Sequence, residues 1–294
     1  MLSIKKTKSE RVFTVFNTVL MCLIVVVTLY PLWYILCASL SSAEKLISFR
    51  GLLFAPLGWN TTAYSKVMTN PDVGNGYINT LFVVIIGTAF NLVMTTLGAF
   101  VLTRKDFLIK RAMSLMIVFT MYFQGGLIPT FLVVQGVGLV DSRWSLILPI
   151  AINTFNLIIM RTNFAAFPAE LEDATRVDGA NDIVLLFRIM IPICAPVFAV
   201  MALFYATSHW NSWLSSVLYL RTRSAYPLQL ILREILIAND MNAMKEGIDL
   251  MDNLAVAATI KYATIIVSTL PILCIYPFIQ RYFVKGVMVG AIKG

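Results

Sequence analysis

Apolar residues follow one another along this chain in long stretches that carry almost no charge, separated by short polar segments. A bilayer core of about 30 Å requires about 20 mostly apolar residues per helix. The runs 13–37, 77–103, 112–140, 144–160, 189–209 and 255–283 therefore predict six spans. The third run is interrupted between Gln124 and Pro129, and the fourth is short. The sixth starts between Ala255 and Tyr262. The first run is too long for a cleaved signal and lacks a small-residue cleavage site.

Composition narrows the reading. Hydrophobic residues make up 59% of the 294 positions and charged residues only 13%. Soluble domains carry about 45–50% apolar and about 25% charged residues. A soluble enzyme, a disordered chain and a secreted disulfide scaffold are excluded, and an all-α membrane protein built as one bundle is expected. Cys22, Cys37, Cys194 and Cys274 lie in or beside apolar runs without a CxxC pair, so they read as small apolar filler, with no metal site.

The formal net charge of +8 could signal nucleic acid, but its distribution points to topology. Six spans place both termini on one side. With that side in the cytoplasm, the inner segments are 1–12, 104–111, 161–188 and 281–294. They hold most of the Lys and Arg, including Arg104, Lys105, Lys110 and Arg111 in one short loop. The longer outer segments are close to neutral. Short loops set orientation, so the N-in, C-in arrangement follows. Trp33, Tyr34, Trp144, Trp210 and Trp213 are expected at the outer interface, with His209, the single histidine, beside them.

The predicted span interiors contain no Asp, Glu, Lys or Arg. A proton- or sodium-coupled carrier needs ionisable groups or dense oxygen ligands at mid-membrane. The polar groups here are amides: Asn91, Gln124, Asn153 and Asn156. Such groups brace helices or line a path for an uncharged polar solute. The chain has no GxxxxGK[ST] loop and no nucleophile–base pair, so energy for transport would come from a partner.

The cytoplasmic loop 161–188 is the most informative segment. Pro168 suits a helix start, and Glu170, Glu172 and Asp173 follow where the helix dipole favours negative charge. Leu171, Ala174 or Thr175, and Asp178 share a face. Gly179 can take the left-handed conformation that ends the helix, and Asn181 or Asp182 can cap a second helix over 183–189. A short, rigid helix–turn–helix with an acidic patch is predicted, either as a stiff connector or as a docking element.

The run Asp173, Ala174, Thr175, three residues, Gly179, nine residues, Ile189 to Pro192 resembles the EAA signature of binding-protein-dependent ABC transporter permeases. Asp173 stands for Glu, Thr175 for the second Ala and Ile191 for Leu, with the spacing kept. Glu172 beside Asp173 is an alternative for the acidic position. The Gln124–Pro129 break, the segment Tyr226–Leu230 and the ending Tyr276–Gly294 resemble carbohydrate permeases, specifically the smaller permease of maltose-type, multiple-sugar and polysaccharide importers.

The resemblance implies a type I ABC importer permease bundle in a bacterial cytoplasmic membrane, with the permease domain over 13–284. It implies a second, homologous permease, two ATPase subunits that use ATP and Mg, an extracellular solute-binding protein and a sugar cargo. The chain itself would bind no cofactor and catalyse no reaction. Glu170, Glu172, Asp173, Ala174, Thr175, Asp178 and Gly179 would couple to the ATPases. Lys285, Gly286, Gly290, Lys293 and Gly294 in the tail 285–294 would contact them too. Tyr122, Gln124, Asn153 and Asn156 are the candidates for the solute path. The outer stretch 228–237 could lie in the interface, contact the binding protein or pack as a re-entrant segment. Competing expectations are an amino-acid or peptide permease, and a membrane scaffold or receptor that recruits a cytoplasmic protein through the acidic loop.

Overall fold

The computed structural model describes residues 7–245, 259–275 and 277. Among them the regular structure is helical, apart from one isolated bridge between Ser41 and Trp59. Eleven principal helices are used below. They are α1 Lys8–Ser39, α2 Pro71–Thr103, α3 Lys110–Tyr122, α4 Leu127–Gly136 and α5 Thr154–Ala165. The coupling-loop region supplies α6 Ala169–Val177 and α7 Asp182–Ile193. The rest are α8 Ala195–Trp210, α9 Trp213–Tyr219, α10 Leu228–Lys245 and α11 Thr259–Ile275.

The chain divides into two units, one of residues 1–70 with 234–269 and one of 71–233 with 270–294. In the first unit, Thr7 and Glu10 form a reciprocal capping box that starts α1. The apolar run then continues through Pro31, which lies inside the helix. Cys37, Ala38, Leu46 and Leu53 form a small core, with Tyr34 and Tyr262 edge-to-face against it at 6.0 Å. Trp33 donates from Nε1 to the Phe54 carbonyl at 2.9 Å. Tyr30 accepts from the Leu53 amide.

In the second unit α2 is the central helix, packed against α5 and α8. Its buried positions include Asn79, Thr80, Asn91, Thr95 and Thr96, so it is decorated with polar groups that face protein. At mid-membrane such groups need partners inside the bundle. Asn91 Nδ2 donates to the carbonyls of Ile150 and Ala151, at 2.5 and 2.9 Å, where the backbone leaves regular helix. Asn91 Oδ1 lies 2.6 Å from His209 Nε2, and since an amide oxygen only accepts, the ring hydrogen sits on Nε2. Gly87 makes room for this contact: a Cβ there would fall 2.5 Å from His209 Nε2.

Two expectations are corrected below, while the interruption expected in the run 112–140 is present: α3 and α4 are bent by 118° there. Gly126 takes φ +85° at the break, a left-handed value that glycine accepts without strain, and Pro129 follows in the first turn of α4. At 13 residues, α3 is only about 20 Å long, short of a bilayer core. The fifth run, expected from Ile189, does not start a helix at that residue. That residue lies inside a wide π-helical turn, Leu185–Met190, within α7. The chain then bends by 85° before α8, with Pro196 at the start of α8, where its missing N–H is not needed. An apolar run conceals such a bend, because hydropathy does not register direction. Finally, His209 and Trp210 are 1% and 5% exposed, inside the unit rather than at an interface.

The stretch Leu228–Ile231 is packed against α2. Leu228, Leu230 and Ile231 are buried, the Leu228 amide donates to Thr80 Oγ1 at 2.8 Å, and Gly76 touches the Leu228 backbone. Of the sixth run, 255–283, the described helix is α11. The tail residues Lys285, Gly286, Gly290, Lys293 and Gly294 lie outside the described residues.

Candidate functional site

The sequence from Phe167 to Ile193 folds as the predicted helix–turn–helix. Pro168, with φ −60° and ψ 127°, turns the chain into α6. Asp178 closes the helix and Gly179 follows at φ +76°. The Gly179 amide donates to the Arg176 carbonyl and the Ala180 amide reaches back to the Thr175 carbonyl, which satisfies the last carbonyls of the turn. Asn181 Oδ1 then accepts from the Val184 amide at 2.9 Å and starts α7, so Asn181 and not Asp182 is the cap.

The hairpin has an anchored side and an open side. Leu185, Leu186 and Met190 of α7 enter the same apolar core as Ala99, Phe100 and Leu102 of α2, Leu157, Met160 and Phe164 of α5, and Met201 of α8. On α6, Thr175 is buried and donates to the Leu171 carbonyl. Glu172 also turns inward, and its Oε1 accepts from Arg104 Nη1 at 2.7 Å and from Arg176 Nη2 at 3.2 Å. These contacts, with Asp182 nearby, hold the Arg176 guanidinium above its ordinary range. The open side carries Glu170, Asp173, Ala174, Asp178 and Gly179, together with Val177 at 87% exposure and Ile183 at 68%.

The two acidic neighbours differ in their surroundings. Glu172 is committed inside the chain, whereas Asp173 faces solvent at the position that matches the signature. The sequence contains both arginines, but Arg104 stands 68 positions before Glu172, and no local spacing rule pairs them.

A second feature is a cavity between the start of α5 and the end of α8. Ile150, Asn153, Phe155 and Asn156 face Phe204, Tyr205, Thr207, Ser208 and Asn211 across a cavity of about 660 Å³. The Tyr205 hydroxyl accepts from the Asn153 amide at 3.0 Å and lies 2.6 Å from Thr95 Oγ1. Asn153 Oδ1 caps α5 through the Asn156 amide. This surface offers amides, hydroxyls and aromatic rings, with no formal charge. Of the four expected solute-path residues, Asn153 and Asn156 line it. Tyr122 and Gln124 do not; they are exposed at the break between α3 and α4. Tyr205, Ser208 and Asn211 were missed, because polar residues spread along an apolar helix reveal no face until its partner helix is placed.

No family model matches the chain. Individual relatives do. It is 38% identical over 269 residues to the polygalacturonan/rhamnogalacturonan transport system permease protein YtcP of Bacillus subtilis (strain 168), covering 90% of this chain and 92% of the relative. Protein LplC of the same organism is 36% identical over 98% of this chain and 97% of its own. Among solved structures, a chain of a bacterial ABC transporter involved in the import of the acidic polysaccharide alginate superposes with a TM-score of 0.86 at 32% identity. The match covers 96% of this chain and 100% of that one. Full-length similarity of this order, together with a helical hairpin of the expected spacing on the expected loop, shows that the chain belongs to the sugar ABC-transporter permeases, multi-pass subunits of the bacterial cytoplasmic membrane.

Proposed function

We propose that this chain is one permease half of an ATP-driven importer for oligosaccharides released from larger polysaccharides. A homologous permease supplies the other half, two ATPase subunits dock on the α6–α7 hairpin, and a solute-binding protein delivers cargo from outside. ATP and Mg belong to the ATPase subunits, since this chain carries no phosphate-binding loop. The observation that carries the reading is the two-sided hairpin. Its apolar residues Leu185, Leu186 and Met190 are fixed in the core, and Glu170, Asp173, Asp178, Val177 and Ile183 are exposed. An exposed acidic and apolar edge on a rigid support is suited to a protein partner, not to a catalytic step.

The saccharide class is carried over from the names of the relatives, one for polygalacturonan and rhamnogalacturonan and one for alginate. The uncharged cavity supports it. Asn153, Asn156, Ser208 and Asn211 can exchange hydrogen bonds with sugar hydroxyls, and the rings of Phe155 and Tyr205 offer apolar faces. Under this reading the solute passes along that wall when the two permease halves open alternately.

The test is to purify the tagged chain from its native membrane in mild detergent. A second permease and an ATPase should co-purify. Hydrolysis of ATP should rise severalfold when a binding protein loaded with oligogalacturonate or another oligosaccharide is added. Absence of an ATPase, or hydrolysis indifferent to every loaded binding protein tried, would overturn the proposal.

A further inference from the structure

Docking leaves one group of charges on the hairpin unexplained. Arg104 follows the last residue of α2, where the helix dipole favours a cation. Its guanidinium lies 4.2 Å from the centre of the Phe100 ring, and its side chain is 15% exposed. From there it donates to Glu172 Oε1 on α6. The same oxygen accepts from Arg176, and Arg176 reaches Asp182 Oδ1 at 3.2 Å across the Gly179 turn. Arg104, Glu172, Arg176 and Asp182 thus form an unbroken series of alternating charge. It joins the end of α2 to α6 and to the start of α7. Lys105, Asp106 and Asp173 border the same cleft, of about 310 Å³.

The inner pair of the series, Arg104 and Glu172, is not placed as a docking face, whereas Arg176 and Asp182 at its far end are exposed. Glu172 is 27% exposed with its oxygen shared between two arginines, and Arg104 is largely covered. Apolar packing holds the hairpin through α7, but α6 contributes few buried groups: Thr175 is its one buried residue. What fixes α6 to α2 is therefore the partly desolvated pair of Arg104 and Glu172. A pair shielded in this way is stronger than an exposed one, and loss of either member leaves the other charge poorly paired.

We infer that Arg104 is a positioning residue that makes α2 follow the coupling hairpin, so that motion imposed by an ATPase reaches the central helix of the bundle. The inference rests on the reading of α6–α7 as the ATPase-docking element. The two acidic neighbours then divide the work: Asp173 faces the partner, and Glu172 transmits inward.

The test uses the full complex in proteoliposomes with Arg104→Gln, Glu172→Gln and Arg104→Lys. Three quantities are read: co-purification of the ATPase, hydrolysis without binding protein, and solute moved per ATP. In both Gln variants the ATPase should remain bound and basal hydrolysis should persist. Solute moved per ATP should fall about fivefold or more, the scale of a typical coupling free energy. Arg104→Lys keeps the charge and should restore most of the loss. Unchanged solute per ATP in both Gln variants would overturn the inference. So would loss of the ATPase from them, which would make these residues docking contacts. If the unaltered chain yields no ATPase, the proposed function fails first and this inference with it. Should Arg104→Gln fail to reach the membrane, Glu172→Gln against the unaltered chain still decides the matter.

Discussion

At the outer end of the second unit the irregular backbone is tied down by its own side chains. Asp141, at φ 63°, accepts from the amides of Arg221 and Thr222, both at 2.8 Å, and from the Thr222 hydroxyl. Asn79 Nδ2 donates to the carbonyls of Ser224 and Tyr226, and Arg223 pairs with Asp72 at 2.8 Å. The cytoplasmic end is arranged in the opposite way. Its hairpin is regular and internally capped, yet it leaves Asp173, Asp178, Val177 and Ile183 facing solvent. One end satisfies its groups within the chain; the other keeps them for a partner. Under the proposed function, the contrast suits a firm rim for a delivery protein at one end and a gripping surface for an ATPase at the other.

The largest effect should come from the open end. In Gly179→Val a β-branched side chain must occupy φ +76°, which costs about 1–3 kcal/mol of backbone strain and tilts the hairpin. Uptake should drop about tenfold or more while the protein still reaches the membrane, as followed by labelled-solute uptake beside immunoblots of the membrane fraction. Normal uptake in that variant would break the contrast, because the open end would then tolerate distortion as a passive loop does. Between the two ends, Gly87→Ala should be felt by both. Its Cβ would press on His209, and overpacking of this kind costs about 1–3 kcal/mol. A lower melting temperature of the solubilised chain, with reduced transport and reduced ATPase stimulation together, is expected.

The smallest effect belongs to the tied end. The Thr222 hydroxyl, followed by the Thr222 and Arg221 amides, holds the Asp141 carboxyl below its ordinary value. A depressed value in the folded state means that the ion favours folding at neutral pH. That contribution is full above the ordinary carboxylate range, about 4, and is lost as pH falls through the depressed value. Because Asp141 is exposed, the change should be slight: faster proteolysis near Arg221 and Arg223 in acid, and in Asp141→Asn a modest increase at every pH. A pH-independent cleavage rate in the unaltered chain would show that this carboxylate does not hold the loop.

Much of this contrast was written in local sequence. The turn at Gly179 and the break within 124–129 occur where the pattern places them, and of the two cap candidates, Asn181 and Asp182, the structure uses Asn181. What the sequence did not disclose depends on facing. His209 and Trp210 sit where an interfacial belt is expected, yet α8 turns both of them inward. An apolar helix in lipid shows no polar side to distinguish protein from membrane. Likewise the pairing of Glu172 with Arg104, 68 positions earlier, follows no local spacing.

The bend between α7 and α8 has a mechanical meaning. The two arms are about 18 and about 24 Å long and stand at 85° to each other, so together they form a bell crank. The short arm carries the hairpin and the long arm carries Tyr205 and Ser208, with Asn211 just past its end. In such a device a push on one arm emerges on the other turned through a right angle and enlarged by roughly a third, from the ratio of the arms. Under the proposed function, a push on the hairpin would thereby become a transverse stroke of the wall proposed for the solute.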